Sequence, residues 1–135
     1  MKFLDLNGLK HLLKFMDRTV RVVTSKYAVN SEGRSEIPFI TNHQIISMHT
    51  SNNIDVFNWL KGASEGGILE IVFAGAQGGY VYCMNQGTSL MYQMKSGQYG
   101  PQLTNIGYLS TTYNTYARLI KSNERLIVAE FVTNQ

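Results

Sequence analysis

From Gly66 onward the chain is a succession of short β-branched and aromatic runs, each closed by Gly, Asn or Ser. This spacing limits the fold most, because runs so short suit strands joined by tight turns. Ile68–Phe73 opens the series. Gly75–Gly79 then reads as a hairpin turn into Tyr80–Met84, and Asn85–Thr88 as a turn into the alternating run Ser89–Met94. Ser96–Pro101 reads as a loop and Asn105–Leu109 as extended chain. The clearest hairpin pairs Tyr116–Ile120 with Arg125–Val132 across the polar turn Lys121–Glu124. The expected fold is mainly β with an N-terminal α-helix: an antiparallel β-sandwich or barrel-like knob after a short amphipathic helix.

The helix is read from Met1–Val20. Asn7 is a good N-cap, since its side-chain carbonyl can accept from the free N–H groups of a first turn. Leu9, Leu12, Leu13, Met16 and Val20 recur at three- and four-residue steps and share a face, while Lys10, Lys14, Asp17 and Arg18 fall mostly opposite. A helix of about three turns is marginal alone in water, so it must dock on its own domain or bundle with a partner chain. Leu9, Leu13, Met16 and Val20 fit a heptad seam and are the candidate oligomerisation residues.

After the helix, Thr19–Val23 reads as a short strand that Tyr27–Val29 continues. Asn30–Glu36 is polar and divides an N-terminal anchoring module, residues 1–29, from a β-rich knob, residues 37–135. Ile37–Ile40 and Gln44–Met48 read as extended, with Pro38 marking an edge or a strand start. Ser51–Asn53 can cap a short helix over Asp55–Leu60 that Gly62 ends, with Val56, Trp59 and Leu60 on one face, although the same residues could also form a strand.

The chemistry of the sequence is nearly silent. The single cysteine excludes an internal disulfide framework, and Cys83, inside Tyr80–Met84, reads as a core residue without a nearby base. His43 and His49 lack the spacing and companions of a metal site, and His11 lies on the amphipathic helix, so no metal or other cofactor is expected. Asp55, Glu65 and Glu70 have no spacing that singles out a carboxylate pair. Gly75–Gly79 lacks the Gly-Lys-Ser/Thr ending and the following helix of a phosphate loop. No catalytic residue emerges, and the chain is not expected to be an enzyme.

Charge points the same way. Charged residues make up 16% of the 135 residues, and the net charge is +3. The basic residues before Ile37 lie mainly on a helix's polar face with Asp5 and Asp17 among them, a solvated pattern and not a nucleic-acid patch. No apolar run is long enough to span a membrane, and Asp5, Lys10, His11 and Lys14 interrupt the start where a signal peptide would be apolar. The expected setting is therefore a cytoplasm.

The informative feature is aromatic. Seven of the eight tyrosines lie from Tyr80 to Tyr116, and Lys95 is the sole charged residue between Glu70 and Arg118. Tyrosine combines a large apolar body with a polar tip and is favoured at interfaces. Tyr80 and Tyr82 share one strand face and Val81 and Cys83 the other, so if the latter face inward the tyrosines face out. Trp59, Tyr80, Tyr82, Tyr92 and Tyr99 are the candidate surface-contact residues; the alternative is that alternate tyrosines simply fill a sandwich core and its rim.

The opening Phe3–Lys14, Phe-Leu-Asp-Leu-Asn-Gly-Leu-Lys-His-Leu-Leu-Lys, resembles the "hydrophobic-Leu-Asp-x-x-Gly-Leu" opening of tail-fibre, head-fibre and related virion proteins of gut bacteriophages. In those proteins the segment leads into a short helix, and a trimeric β-rich domain often follows. Leu12-Leu13 stands where the family often has an aromatic, and no long fibre shaft follows, which suits a small head fibre, decoration protein or tip module. The resemblance implies a virion structural protein assembled in the host cytoplasm. It also implies a homo-oligomer, most simply a trimer, attached to capsid or tail proteins and able to meet a host-surface glycan. The alternative is a free-standing glycan- or protein-binding β-domain.

Overall fold

The computed structural model describes residues 7, 20–23, 27–48, 53–74, 78–111 and 114–133. Among the described residues, thirteen strands and the short helix α1 run in the order β1 (Val20–Val23), β2 (Arg34–Glu36), β3 (His43–Met48), β4 (Asn53–Asp55), α1 (Phe57–Gly62), β5 (Ile68–Phe73), β6 (Tyr80–Tyr82), β7 (Met84–Asn85), β8 (Thr88–Ser89), β9 (Met91–Gly97), β10 (Gly100–Ile106), β11 (Leu109–Ser110), β12 (Thr115–Ser122) and β13 (Arg125–Thr133). They form a seven-stranded sheet ordered β1-β3-β5-β12-β13-β9-β10, a four-stranded sheet ordered β11-β6-β4-β2, and the small hairpin β7-β8. The chain is mainly β, and among the described residues neither large sheet closes into a barrel.

The sheets are mixed, which corrects the antiparallel expectation. From β1 to β6 the chain alternates between the two large sheets. A strand that leaves a sheet at one end and re-enters through the other sheet must run parallel to its predecessor. Hence β1–β3 and β3–β5 are parallel in the larger sheet, and β2–β4 and β4–β6 in the smaller. Strands β5 and β6 lie in different sheets and so do not pair as the expected hairpin; residues 75–77 of Gly75–Gly79 lie outside the described residues. Later the direction reverses, with β11 antiparallel to β6 and β12 antiparallel to β5. True hairpins occur at β9–β10 and β12–β13, and β13 runs parallel to β9.

Alternation decides which side chains go inward. In β3 every second residue is buried (Gln44, Ile46, Met48), and β5 repeats this with Leu69, Ile71 and Phe73. With Ile54, Val81 and Leu109 of the smaller sheet, and Trp59 and Leu60 of α1, they form one buried cluster. Val56, Trp59 and Leu60 are all buried, as their spacing predicts. Α1 starts later than expected: Val56 stands at the cap, and Asp55 Oδ1, not Ser51–Asn53, accepts the Phe57 N–H at 3.0 Å.

Buried polar groups pin the loops to this core. Gln44 is fully buried; its Oε1 accepts from the N–H groups of Ile40 (2.9 Å) and Thr41 (3.3 Å), and its Nε2 donates to Pro38 O at 3.0 Å. These bonds hold residues 37–40 as loop, where a strand was expected. Trp59 Nε1 donates to Thr41 O at 3.0 Å. Lys121, only 5% exposed, reaches from β12 to the end of α1 and donates to Leu60 O (2.8 Å) and Ala63 O (2.6 Å). A cation is favourable there, because the last carbonyls of a helix have no intrahelical donors.

Two turns follow from local backbone chemistry. Gln86 and Gly87 join β7 to β8 with φ of 50° and 81°, and Asn123 and Glu124 join β12 to β13 with φ of 51° and 60°. Paired positive φ values match the right-handed twist of the flanking strands. Further along the second hairpin, Arg118 pairs with Glu130 and Leu119 with Val128, so Ala129 is an extra residue, a β-bulge.

Of the expected oligomerisation residues, Leu9, Leu13 and Met16 lie outside the described residues. Val20 opens β1 opposite Gln44, so it belongs to a strand and not to the end of a helix. Tyr27–Val29 contributes one bridge, Val29 with Ser35, and Asn30–Gly33 turns the chain tightly, with Asn30 Oδ1 accepting from Glu32 N and Arg34 N at 3.0 Å.

Candidate functional site

Among the described residues, the outer face of the four-stranded sheet carries a group of three aromatic side chains in mutual contact. Ser35, Ile54, Val81 and Leu109 are buried on its inner side. Their neighbours Arg34, Glu36, Asn53, Asp55, Tyr80 and Tyr82 therefore point the other way. Cys83 is fully buried as well, so the condition for outward tyrosines is met. Leu109 pairs with Val81 and Ser110 with Tyr80, which brings residue 108 opposite residue 82.

Three rings meet there. Tyr80 and Tyr108 have centroids 4.7 Å apart at 63°, Tyr82 and Tyr108 5.8 Å at 54°, and Tyr80 and Tyr82 6.4 Å at 68°. Such edge-on pairs contribute about 0.5–1.5 kcal/mol each beyond area burial, so the cluster is held without a ligand. Tyr80 is 41% exposed and Tyr108 51%. The Arg34 guanidinium lies over the Tyr82 ring, 3.8 Å from its centroid. Its Nη1 is also 3.7 Å from Asp55 Oδ2. Glu36 accepts from Asn30 Nδ2 at 3.2 Å.

Asp55 sits where the smaller sheet meets α1. Its Oδ1 accepts from the N–H groups of Phe57 (3.0 Å) and Met84 (3.4 Å). Burial pushes its carboxyl above the ordinary range, against the opposing pull of those N–H groups and of Arg34. Burial also drives the Cys83 thiol well above its ordinary value, with the Asp55 charge adding to it. Cys83 is thus a poor nucleophile.

The larger sheet carries a second polar group. His43 Nε2 and Glu70 Oε2 are 2.7 Å apart, and the Tyr116 hydroxyl donates to Glu70 Oε1 at 2.6 Å. Burial raises the Glu70 carboxyl, but the bonds from Tyr116 and His43 outweigh it and leave it below the ordinary range. The same bond, with some burial, pushes Tyr116 up to about 12. Both Glu70 oxygens are occupied by these partners, an arrangement that ties β3, β5 and β12 together.

The sequence-predicted contact residues separate. Tyr80 and Tyr82 come together as expected. Trp59 does not join them: it is 0% exposed, packed in the core with its indole N–H satisfied by Thr41, so it is no surface residue. Tyr92 is half-buried in the larger sheet with the Arg125 guanidinium 4.9 Å from its ring centroid. Tyr99 is 90% exposed at the β9–β10 turn, apart from the cluster. Tyr108 and Arg34 complete the site and were not foreseen, because β11 (antiparallel to β6) and β2 (parallel, through β4) pair with strands distant in sequence and leave no local signal. No family model, curated protein or solved structure matches the chain.

Proposed function

We propose that this chain is a phage virion structural protein: a small oligomeric fibre or decoration protein of the capsid or tail. Its β-rich part projects as a sandwich-like knob and touches the host surface. The observation that carries the contact role is the outward cluster of Tyr80, Tyr82 and Tyr108, pre-arranged by ring contacts and by Arg34. Rigid aromatic side chains give contact area at low entropic cost. The virion setting rests on the resemblance of Phe3–Lys14 to fibre openings. In this reading Leu9, Leu13 and Met16 associate copies, most simply as a trimer, and the N-terminal segment holds the protein to another virion protein.

Light scattering on the purified chain, with mass spectrometry of purified virions, tests this. A trimer present in particles is expected, and Leu13→Ala with Met16→Ala is expected to dissociate it. A monomer absent from particles would overturn the virion reading. The alternative, a free-standing glycan- or protein-binding domain, is favoured by one observation: the cluster is complete within a single chain.

A further inference from the structure

We infer that the ligand of the tyrosine face is a short, uncharged oligosaccharide, seated on Tyr80 and Tyr108. The inference rests on the contact role proposed above and adds the ligand's chemistry.

Charge is the first argument. The cation-binding position of the cluster is already filled, since Arg34 covers Tyr82 and faces the half of Asp55 that the backbone N–H groups leave open. Glu36 is engaged by Asn30. The remaining surface offers two ring bodies and phenol hydroxyls. A nucleic acid or acidic glycan needs uncommitted Lys or Arg, which the described residues of this face do not present. A cationic ligand would have to displace Arg34. A neutral sugar matches, because its C–H face lies on a ring while its hydroxyls exchange hydrogen bonds with phenols.

Size is the second argument. Strands β2, β4 and β6 have three residues each and β11 has two. With strands about 4.8 Å apart and residues about 3.3 Å apart, the face measures roughly 150 Å². The ring cluster, with centroids 4.7–6.4 Å apart, is on the scale of a short oligosaccharide.

The test is a glycan array probed with the full chain. It carries neutral hexose and N-acetylhexosamine oligosaccharides beside sialylated and sulfated ones. Saturable binding to a neutral glycan is expected, at least about tenfold weaker for Tyr80→Ala and Tyr108→Ala. Tyr99→Ala should bind like the parent chain, and affinity should hold between about 50 and 500 mM salt. Should an alanine variant fail to fold, Tyr108→Gln keeps bulk without a ring and is expected to lose binding equally. No neutral glycan bound, binding confined to acidic glycans and lost in salt, or binding unchanged in the ring variants would each overturn the inference. A virion-borne chain that binds no neutral glycan loses this inference but keeps the virion reading. A monomer absent from virions that binds one does the reverse.

Discussion

Lys121→Met is the sharpest probe of how the core is held. Methionine fills much the same volume but cannot donate, so the carbonyls of Leu60 and Ala63 lose their bonds of 2.8 and 2.6 Å. Each buried carbonyl left without a donor costs about 1–3 kcal/mol. Relief from burying an ammonium group offsets part of this. The partner Glu124 adds little, being 84% exposed and 3.8 Å away. The net expectation is a loss of about 2–3 kcal/mol, from a total of about 5–15 for a domain of this kind. With a urea slope of about 2 kcal/mol per molar, the unfolding midpoint should fall by about 1 M. Trp59, the single tryptophan, lies in the same helix, so its fluorescence during urea titration reports the event directly. Lys61→Met, at an exposed lysine of that helix, should stay within about 0.5 kcal/mol of the parent. A Lys121→Met midpoint within about 0.2 M of the parent would refute the assignment of Lys121 as a buried clamp on α1.

The Glu70–Tyr116 bond should appear in a pH series of melting temperatures. Glu70 is held below its ordinary value of 4.5, so its contribution is present above that pH and lost as pH falls through the lowered folded-state value. Tyr116 is raised from 10.0 to about 12, so its contribution is present below 10.0 and lost as pH rises through about 12. Tyr116→Phe should remove the alkaline part and weaken the acid part. An unchanged difference profile between parent and variant would count against the bond. Cys83 should resist thiol-specific alkylation in the native chain and react once urea unfolds it, since it is buried and its thiol pKa is raised. Rapid labelling of the folded protein would contradict that burial.

What the sequence revealed follows from how local each interaction is. The β12–β13 hairpin was legible to within two residues, because its polar turn and flanking β-branched runs are contiguous, although Lys121 and Ser122, read as turn, belong to β12. Strand β5 and the buried face of α1 were legible for the same reason. The parallel pairings were not, since β3 meets β5 only after the chain has crossed to the other sheet. Gly75–Gly79 looked like a hairpin turn for want of that knowledge. Gly78 packs against Thr111, whose carbonyl oxygen would lie 1.2 Å from an added Cβ, and Thr111 Oγ1 both accepts from Gly79 N and donates to Gly79 O. Half of the site was visible: alternation put Tyr80 and Tyr82 on one face, and the structure keeps them there. Tyr108 and Arg34 were invisible, because only the order β11-β6-β4-β2 brings them beside those rings. Trp59 misled because aromatic character alone does not tell an anchor in the core from one at a surface.

The place of β12 in the larger sheet bears on how the protein is made. It lies between β5 and β13, with three strands on one side and three on the other, yet among the described strands only β13 follows it. A ribosome therefore delivers β1, β3 and β5 long before the strand that joins them to the rest. Until Thr115–Ser122 emerges, β5 presents a bare edge and its apolar row Leu69, Ile71 and Phe73 lacks its permanent neighbour. Such an edge invites pairing with other nascent chains. The sheet can be completed only after β12 has been made. The late, local β12–β13 hairpin is well suited to it, because it can form quickly by itself and enter the gap as a ready-made pair.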